Sequence, residues 1–332
     1  MDLINRDHLI FLLCSERSGS NFITKLMNNH SKICGPSTKH IINPVARNYF
    51  RYQPLNQSDQ WEFLIDDILN LFNVEFSFWK SKFTKQELLE SIENGDIYSL
   101  LTYFFSKETQ FNEKEYCFIK EIKAYEFYPF LKGYFKNSKF LYQVRDPRDM
   151  ALSWKKNTTH KGGVIEAAKQ WKVDQQQFLK IAELEKLSNS IVFIKYEDLV
   201  SNTEEVLTKA LAVFGLNYEI NMLDMNKDKL TAQNAKAQKA WQNLSKPVMK
   251  DNFDKFKKEL TSDEIRYIES ICYSEMKYFG YETMFAWDSL KEIHAREIQS
   301  HHNLEMKQLS YQQAKGVKEN MKAKQFFYQH TN

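Results

Sequence analysis

Leu9-Ile10-Phe11-Leu12-Leu13-Cys14 runs directly into Ser15-Glu16-Arg17-Ser18-Gly19-Ser20-Asn21, and Phe22, Ile23, Leu26 and Met27 then recur at helical spacing. The apolar run has the length of a strand, the Ser/Gly stretch is a turn, and the recurrence is one face of a helix, so the segment reads strand, loop, helix. A strand entering a helix through such a turn presents unpaired backbone N–H groups at the helix N-terminus, where the helix dipole favours an anion. Gly19 permits close approach of the backbone, Ser18, Ser20 and Asn21 add donors, and Arg17 supplies a fixed charge. Phosphate or sulfate is the expected guest; an ordinary capped turn is the alternative reading of this segment taken alone. Gly-x-x-x-x-Gly-Lys-Ser/Thr is absent, which weighs against a kinase.

Working outward, three further short apolar runs have strand character: Cys117 to Ile122, Lys139 to Val144 and Ile191 to Ile194. Between and after them lie helical stretches. One runs from Val164 to Leu187. A second opens on a capping box at Ser201-Asn202-Thr203-Glu204 and closes at Gly215, and a third starts at Thr261-Ser262-Asp263-Glu264 and stops at Gly280. Strands alternating with helices define an α/β protein with a mostly parallel sheet, and such sheets bind ligands at the carboxyl ends of their strands. Trp61 to Phe105 holds no good strand and reads as helices rich in Phe, Leu and Trp, a helical insertion over about residues 59–107. From Trp287 the chain turns polar, with no aromatic residue before Tyr311. The expected organisation is therefore one domain over residues 1–285 and a peripheral polar helical tail over 286–332.

Of the 332 residues, 42% are hydrophobic, enough for a sizeable core. Lys and Arg number 46 against 43 Asp and Glu, a balance that gives no large field for holding nucleic acid. Cys14, Cys34, Cys117 and Cys272 lie far apart without Cys-x-x-Cys spacing, so neither a zinc site nor a disulfide framework is indicated and a reducing compartment is the natural reading. Leu9 to Cys14 is too short to span a bilayer and no small-residue cleavage site follows it. A cytoplasmic protein without a membrane span is expected.

Lys139-Phe140-Leu141-Tyr142-Gln143-Val144 leads into Arg145-Asp146-Pro147-Arg148-Asp149-Met150-Ala151-Leu152-Ser153-Trp154. A helix starting near Pro147 holds Ser153 about two turns in, where its hydroxyl and Arg145 can grip one phosphate. The competing reading is a surface Arg/Asp cluster that pairs internally. Together with the first loop, this segment resembles the PAPS-dependent sulfotransferases (PAPS is 3′-phosphoadenosine 5′-phosphosulfate), in a bacterial-type form. The resemblance covers roughly residues 8–285. It implies a P-loop-like three-layer fold, a central mostly parallel sheet flanked by helices, and PAPS as co-substrate without a metal. It assigns Arg17, Ser18, Gly19, Ser20, Asn21 and Phe22 to the 5′-phosphosulfate, and Arg145 and Ser153 to the 3′-phosphate. Lys195-Tyr196-Glu197-Asp198-Leu199 resembles the family's Tyr-Glu-Asp segment, which makes Tyr196 a candidate for contacting adenine. A Tyr packed on the core at a strand end is the alternative. Lys246-Pro247 and Lys250, after Trp241, stand where the family places a basic loop over the donor, although its Gly-rich sequence is missing.

The resemblance also implies in-line transfer of a sulfuryl group to an acceptor hydroxyl on a carbohydrate, a lipid, or a natural-product or carrier-bound intermediate. Arg17 replaces the Lys of many cytosolic relatives, and a guanidinium that does not deprotonate suits stabilising the leaving group. The Lys-Thr-His run of the small-molecule enzymes is replaced by Phe118-Ile119-Lys120-Glu121-Ile122, which leaves Lys120 to face the sulfuryl group and Glu121 as a candidate base. Cys34-Gly35-Pro36-Ser37-Thr38-Lys39-His40-Ile41 resembles the Pro-Pro-Glu-x-His segment of sulfotransferases in bacterial polyketide biosynthesis, with Thr38 in place of Glu. His40 is thereby the first candidate for the base and Glu121 the second. His30 is read as closing the first helix, and His301 and His302 as facing solvent. Two other functions stay open: a nucleotide-dependent phosphotransferase of kinase type, and a non-catalytic nucleotide-binding protein on the same fold.

Overall fold

The apolar run Leu9–Cys14 is strand β1, buried along its whole length. In the computed structural model, which describes residues 3–5, 8–75, 77–157, 160–224, 252–290 and 315–326, it stands at the centre of a five-stranded sheet of order β2-β3-β1-β4-β5. The other strands are β2 (Ile33–Cys34), β3 (Tyr116–Lys120), β4 (Lys139–Val144) and β5 (Ile191–Lys195). Every pairing is parallel, with Phe11 opposite Ile119 on one side and Phe140 on the other. A strand covered on both faces has no solvent side to mark with polar residues, which is why β1 reads as an unbroken apolar run.

Side chains alternate across the sheet and build two cores. Leu9, Phe11 and Leu13 point into the larger one, with Phe140, Tyr142 and Ile119. Ile10, Leu12 and Cys14 point into the smaller one, with Phe118 and Leu141. The smaller core is closed by α1 (Ser20–Asn29) through Ile23, Leu26 and Met27, and by the helix Thr203–Val213 through Leu207 and Leu211. The larger core takes α3 (Ser58–Asn73), the helix Ile97–Phe111 and the long helix Gly163–Lys186, through Trp61, Phe104 and Trp171. The result is the three-layer α/β arrangement expected.

Some boundaries differ from the sequence reading. The strand expected over Cys117 to Ile122 stops at Lys120, so Glu121 and Ile122 belong to the following loop. β2 is too short to leave a periodic signal. The capping box expected at Ser201 does not form, because Ser201 ends the preceding helix Tyr196–Ser201 and Asn202 caps the next without a side-chain bond. Thr203 Oγ1 instead donates to the Leu199 carbonyl. The box at Thr261 and Glu264 is complete, with both reciprocal bonds starting the helix Ser262–Tyr278.

The tail also departs from the expectation of a peripheral segment. Residues Lys315–Phe326 form a helix that packs against α3. Asn320 and Ala323 are buried there, and Ala323 joins the same core as Trp61. In the sequence this helix reads as four lysines with only Val317, Met321, Ala323 and Phe326 apolar, too weak a stripe to mark it as part of the core. Among the described residues no helix is long and apolar enough to cross a membrane.

Candidate active site

The loops that leave the carboxyl ends of β1, β3, β4 and β5 converge at one edge of the sheet. In the first, Gly19 has φ 90° and caps α1. Arg17 (φ 64°) and Gly19 both take positive φ in this turn, and the Phe22 and Ile23 N–H groups donate to the Gly19 carbonyl as α1 begins. The Ser18 hydroxyl is occupied internally, donating to the Ser15 carbonyl at 2.6 Å, and Gln143 Nε2 donates to the Ser18 carbonyl at 2.7 Å. Ser18 therefore braces the loop, a different part from the open donor read in the sequence. Ser20 is buried and Asn21 half-buried at the start of α1.

Arg17 and Arg145 meet above this loop. Arg17 Nε donates to Ser153 Oγ at 3.1 Å. Arg145 Nη1 donates to the Arg17 carbonyl at 3.2 Å and Nη2 to the Asn252 carbonyl at 3.0 Å. Ser153 lies in α7 (Pro147–Lys155), which Pro147 opens and Asp146 caps, so the anticipated helix and the two-turn spacing are both present. The Arg145 guanidinium lies 4.4 Å from the centre of the Tyr196 ring, and the Tyr196 hydroxyl accepts from Asn252 Nδ2 at 2.6 Å. On its other side the Tyr196 ring fills the space a side chain would need at Gly19: a Cβ there would lie 2.3 Å from Tyr196 Cε2. Phe22 approaches Tyr196 edge-on at 6.5 Å. Burial, and then the neighbouring Arg145 charge, hold Arg17 below its ordinary pKa, and Arg145 Nε is buried without a hydrogen-bond partner. Two adjacent guanidiniums and an unmet buried donor are the arrangement a dianion satisfies.

The rest of the Arg/Asp segment does pair internally, but in the interior. Arg148 binds Asp146 at 2.7 Å and Glu269 at 2.6 Å, and Asp149 accepts from the backbone of Asp254 and Phe256. These bonds anchor α7 and leave Arg145 as the residue that faces the first loop.

Lys120, the last residue of β3, joins this half of the site to a second. Its Nζ donates to Asn21 Oδ1 at 2.6 Å, and it lines a cleft with Thr38, His40, Trp79, Phe105 and Glu121. Burial lowers the Lys120 pKa, against the pull of the Cys14 thiol and of Glu16. The loop before α2 (Ile42–Asn48) is held in place by Lys39, whose Nζ donates to the Phe72 carbonyl at 2.6 Å, and by Trp79 Nε1 donating to the Ser37 carbonyl at 2.5 Å. His40 sits in this loop with φ 57°. A left-handed non-glycine residue costs on the order of 1–3 kcal/mol and persists where the surroundings enforce it.

His40 and Glu121, read from the sequence as alternatives, stand side by side. His40 Nδ1 is 3.4 Å from Glu121 Oε2, and Glu121 Oε1 accepts from the Ile42 N–H at 3.2 Å. Burial pushes the Glu121 carboxyl up to about 7, against the opposing pull of the Ile42 N–H and of Lys324. Burial, and then the Lys324 and Lys120 charges, hold His40 well below its usual pKa, as a neutral imidazole. Glu121 is thus the carboxylate that Thr38 does not supply.

Tyr196, Arg17, Arg145, Ser153 and Lys120 are all brought together, with His40 and Glu121 on the far side of Lys120. Lys246 and Lys250, with Trp241, lie outside the described residues, as do His301 and His302. His30 closes α1 as expected: its N–H donates to the Met27 carbonyl, and its Nε2 lies 2.9 Å from the Asn217 carbonyl. Asn252 and Lys324 were not anticipated. Asn252 has no motif around it, and Lys324 stands in the polar tail.

Between them, the parallel sheet, the turn into α1 and the paired arginines define an α/β protein with a buried cationic site at the carboxyl edge of its sheet. The chain belongs to the sulfotransferase family, whose model matches residues 10–219. No curated protein matches its sequence. Among solved structures, the sulfotransferase domain from the Synechococcus PCC 7002 olefin synthase is similar at 16% identity with a TM-score of 0.59, over 85% of this chain and 98% of that one. The sulfotransferase domain from the curacin biosynthetic pathway is similar at 20% identity with a TM-score of 0.57, over 82% of this chain and 98% of that one. Both share the fold.

Proposed function

We propose that this sulfotransferase moves the sulfuryl group of PAPS to an acceptor hydroxyl, with the donor on the Arg17–Arg145 side of Lys120 and the acceptor on the His40–Glu121 side. The observation that carries the reading is the convergence of Arg17, Arg145 and Ser153, with a buried Arg145 Nε still lacking an acceptor, beside the Tyr196 ring. Arg145 and Ser153 suit a 3′-phosphate, and the N-terminus of α1 with Arg17 suits a 5′-phosphosulfate. The bound donor supplies the transferable sulfuryl group and a phosphate leaving group. Around it the chain's residues supply positioning and charge. Lys120 faces the transferring oxygens, Arg17 the leaving phosphate. With Nδ1 donating to Glu121, His40 presents Nε2 to the acceptor hydroxyl and takes its proton, and the Glu121 carboxylate stabilises the imidazolium that forms.

The cavity beside His40, which Thr38, Lys39, Trp79 and Phe105 also line, has room for about one water molecule. Two similar structures come from an olefin synthase and a biosynthetic pathway. A natural-product or carrier-bound hydroxyl is therefore the first acceptor class to test, with glycans and lipids after it. Thermal unfolding decides the donor: adenosine 3′,5′-bisphosphate should raise the melting temperature by several degrees at saturating concentration while ATP does less. A shift with ATP alone would turn the reading to a kinase-type phosphotransferase. A screen with labelled PAPS over sugars, phenols, lipids and carrier-bound hydroxyls then separates an enzyme from a binding protein, since the latter transfers to none.

A further inference from the structure

One residue of β4 breaks the apolar lining of the smaller core. The in-register neighbours of Gln143 are Cys14 of β1 and Ile194 of β5, both members of that core. Gln143 is fully buried beside them, where an amide is unfavourable unless its hydrogen bonds are met. The two ends of this amide fare differently: Nε2 donates to the Ser18 carbonyl at 2.7 Å, and Oε1 is buried without a hydrogen-bond partner among the described residues. Because the partner of Nε2 is a carbonyl, which only accepts, the amide can stand in no other sense. The base of the same loop is held separately. Tyr142, which points into the larger core, donates its hydroxyl to Gln175 Oε1 at 2.7 Å, Gln175 Nε2 donates to Ser15 Oγ at 2.8 Å, and the Ser15 carbonyl accepts the Ser18 hydroxyl at 2.6 Å. Gln143 therefore governs one peptide, Ser18–Gly19, rather than the loop as a whole.

We propose that Gln143 is a positioning residue for the sulfuryl donor: by holding the Ser18 carbonyl it aims the Gly19 N–H at the 5′-phosphosulfate. The inference rests on the reading of PAPS as the donor. In a trans peptide the C=O and N–H lie in one plane and point in opposite directions. A Ser18 carbonyl drawn down to Gln143 thus sends the Gly19 N–H outward from the core, in the turn where Arg17 and Gly19 both take positive φ. Released from Gln143, that peptide is free to rotate and to set the partial negative charge of its carbonyl toward the anion, exchanging an attraction for a repulsion. The unmet Oε1 points the same way. A polar side chain kept in an apolar core with one acceptor unsatisfied breaks the rule of packing, and such breaks fall where a function requires them.

The test is calorimetry with adenosine 3′,5′-bisphosphate and with adenosine 3′-monophosphate on the full-length protein, wild type and Gln143→Met, with thermal unfolding alongside. Methionine has a similar length and no donor. It removes the unmet Oε1 as it frees the Ser18 carbonyl, so one unsatisfied buried acceptor replaces another and the melting temperature should stay within about 4 °C of wild type. The bisphosphate should bind Gln143→Met about 10-fold more weakly, while the 3′-monophosphate, assigned to Arg145 and Ser153, should stay within about 2-fold of wild type. An equal loss for the two nucleotides, or no loss for either, overturns the inference. Should Gln143→Met not fold, wild type decides by NMR with isotope-labelled glycine: the Gly19 amide signal should move on adding the bisphosphate and stay in place with the 3′-monophosphate. A Gly19 signal that ignores the bisphosphate, or answers both alike, overturns the inference as well. Failure of the donor reading looks different and takes the inference with it: wild type would then bind neither nucleotide, or the bisphosphate no more tightly than the 3′-monophosphate.

Discussion

Glu121 shows in one side chain how function and stability pull apart. Its carboxyl, ordinarily ionised near 4.5, is pushed up to about 7 by burial. A group whose folded-state pKa is raised supports the fold most when protonated, below its unfolded pKa, and that support is lost as pH rises through the folded value. Between about 4.5 and 7 the folded protein holds a proton that the unfolded chain has released. Glu121→Gln keeps an oxygen for the Ile42 N–H and carries no charge, so it should be stabilised relative to wild type by a margin that widens from pH 5 to pH 8, read by thermal unfolding at both pH values. An equal margin at the two would mean that Glu121 is not held in the way the geometry requires. The two halves of the site should also separate at this scale. Arg145→Ala removes two hydrogen bonds and a charge, and should weaken adenosine 3′,5′-bisphosphate by roughly 10- to 100-fold in calorimetry. His40→Ala should lower kcat by about 100-fold or more with that affinity retained. A variant at either position that lost both properties together would merge the donor and acceptor sides assigned here.

At the scale of elements, the decisive junction is the one where β1 becomes α1. Gly19 is required there twice over, for φ 90° and for the Tyr196 ring that occupies its side-chain space. Gly19→Ala should cost on the order of 1–3 kcal/mol in folding stability from backbone strain and displaced packing. It should also weaken nucleotide binding, because the ring it displaces is the one under Arg145. Stability measured by denaturant unfolding and affinity by calorimetry should fall together, and an unaltered affinity would detach Tyr196 from the donor site. The junction between β4 and α7 is built differently. Asp146 caps α7 and binds Arg148, Glu197 accepts the Asp146 N–H at 2.9 Å, and Trp171 Nε1 donates to the Arg145 carbonyl at 2.9 Å. Those bonds aim Arg145 at the first loop. Buried charges so completely paired are costly to break from one side, so the structural half of the Arg-Asp-Pro-Arg-Asp segment is as constrained as the binding half.

Over the whole molecule, a chain with nearly balanced charge gathers Arg17, Lys120 and Arg145 around one edge of its sheet. Much of this was legible in the sequence, because strand, turn and helix period are local properties. The run Leu9–Cys14, the turn at Gly19 and the spacing from Arg145 to Ser153 each depend on neighbours within about ten residues, and each stands in the fold as read. The missing parts depend on distant partners. Nothing near Ser201 shows that the preceding turn is already helical, and nothing in the Lys-rich tail shows that Ala323 finds a core. By itself, then, the sequence determined the parallel α/β frame and the strand-turn-helix junction at its carboxyl edge, since periodicity and turn chemistry act over short stretches. Only the tertiary structure decided that His40 and Glu121 are one pair and that Ala323 of the tail joins the core, because burial and the approach of segments far apart in the chain exist only once it has closed on itself.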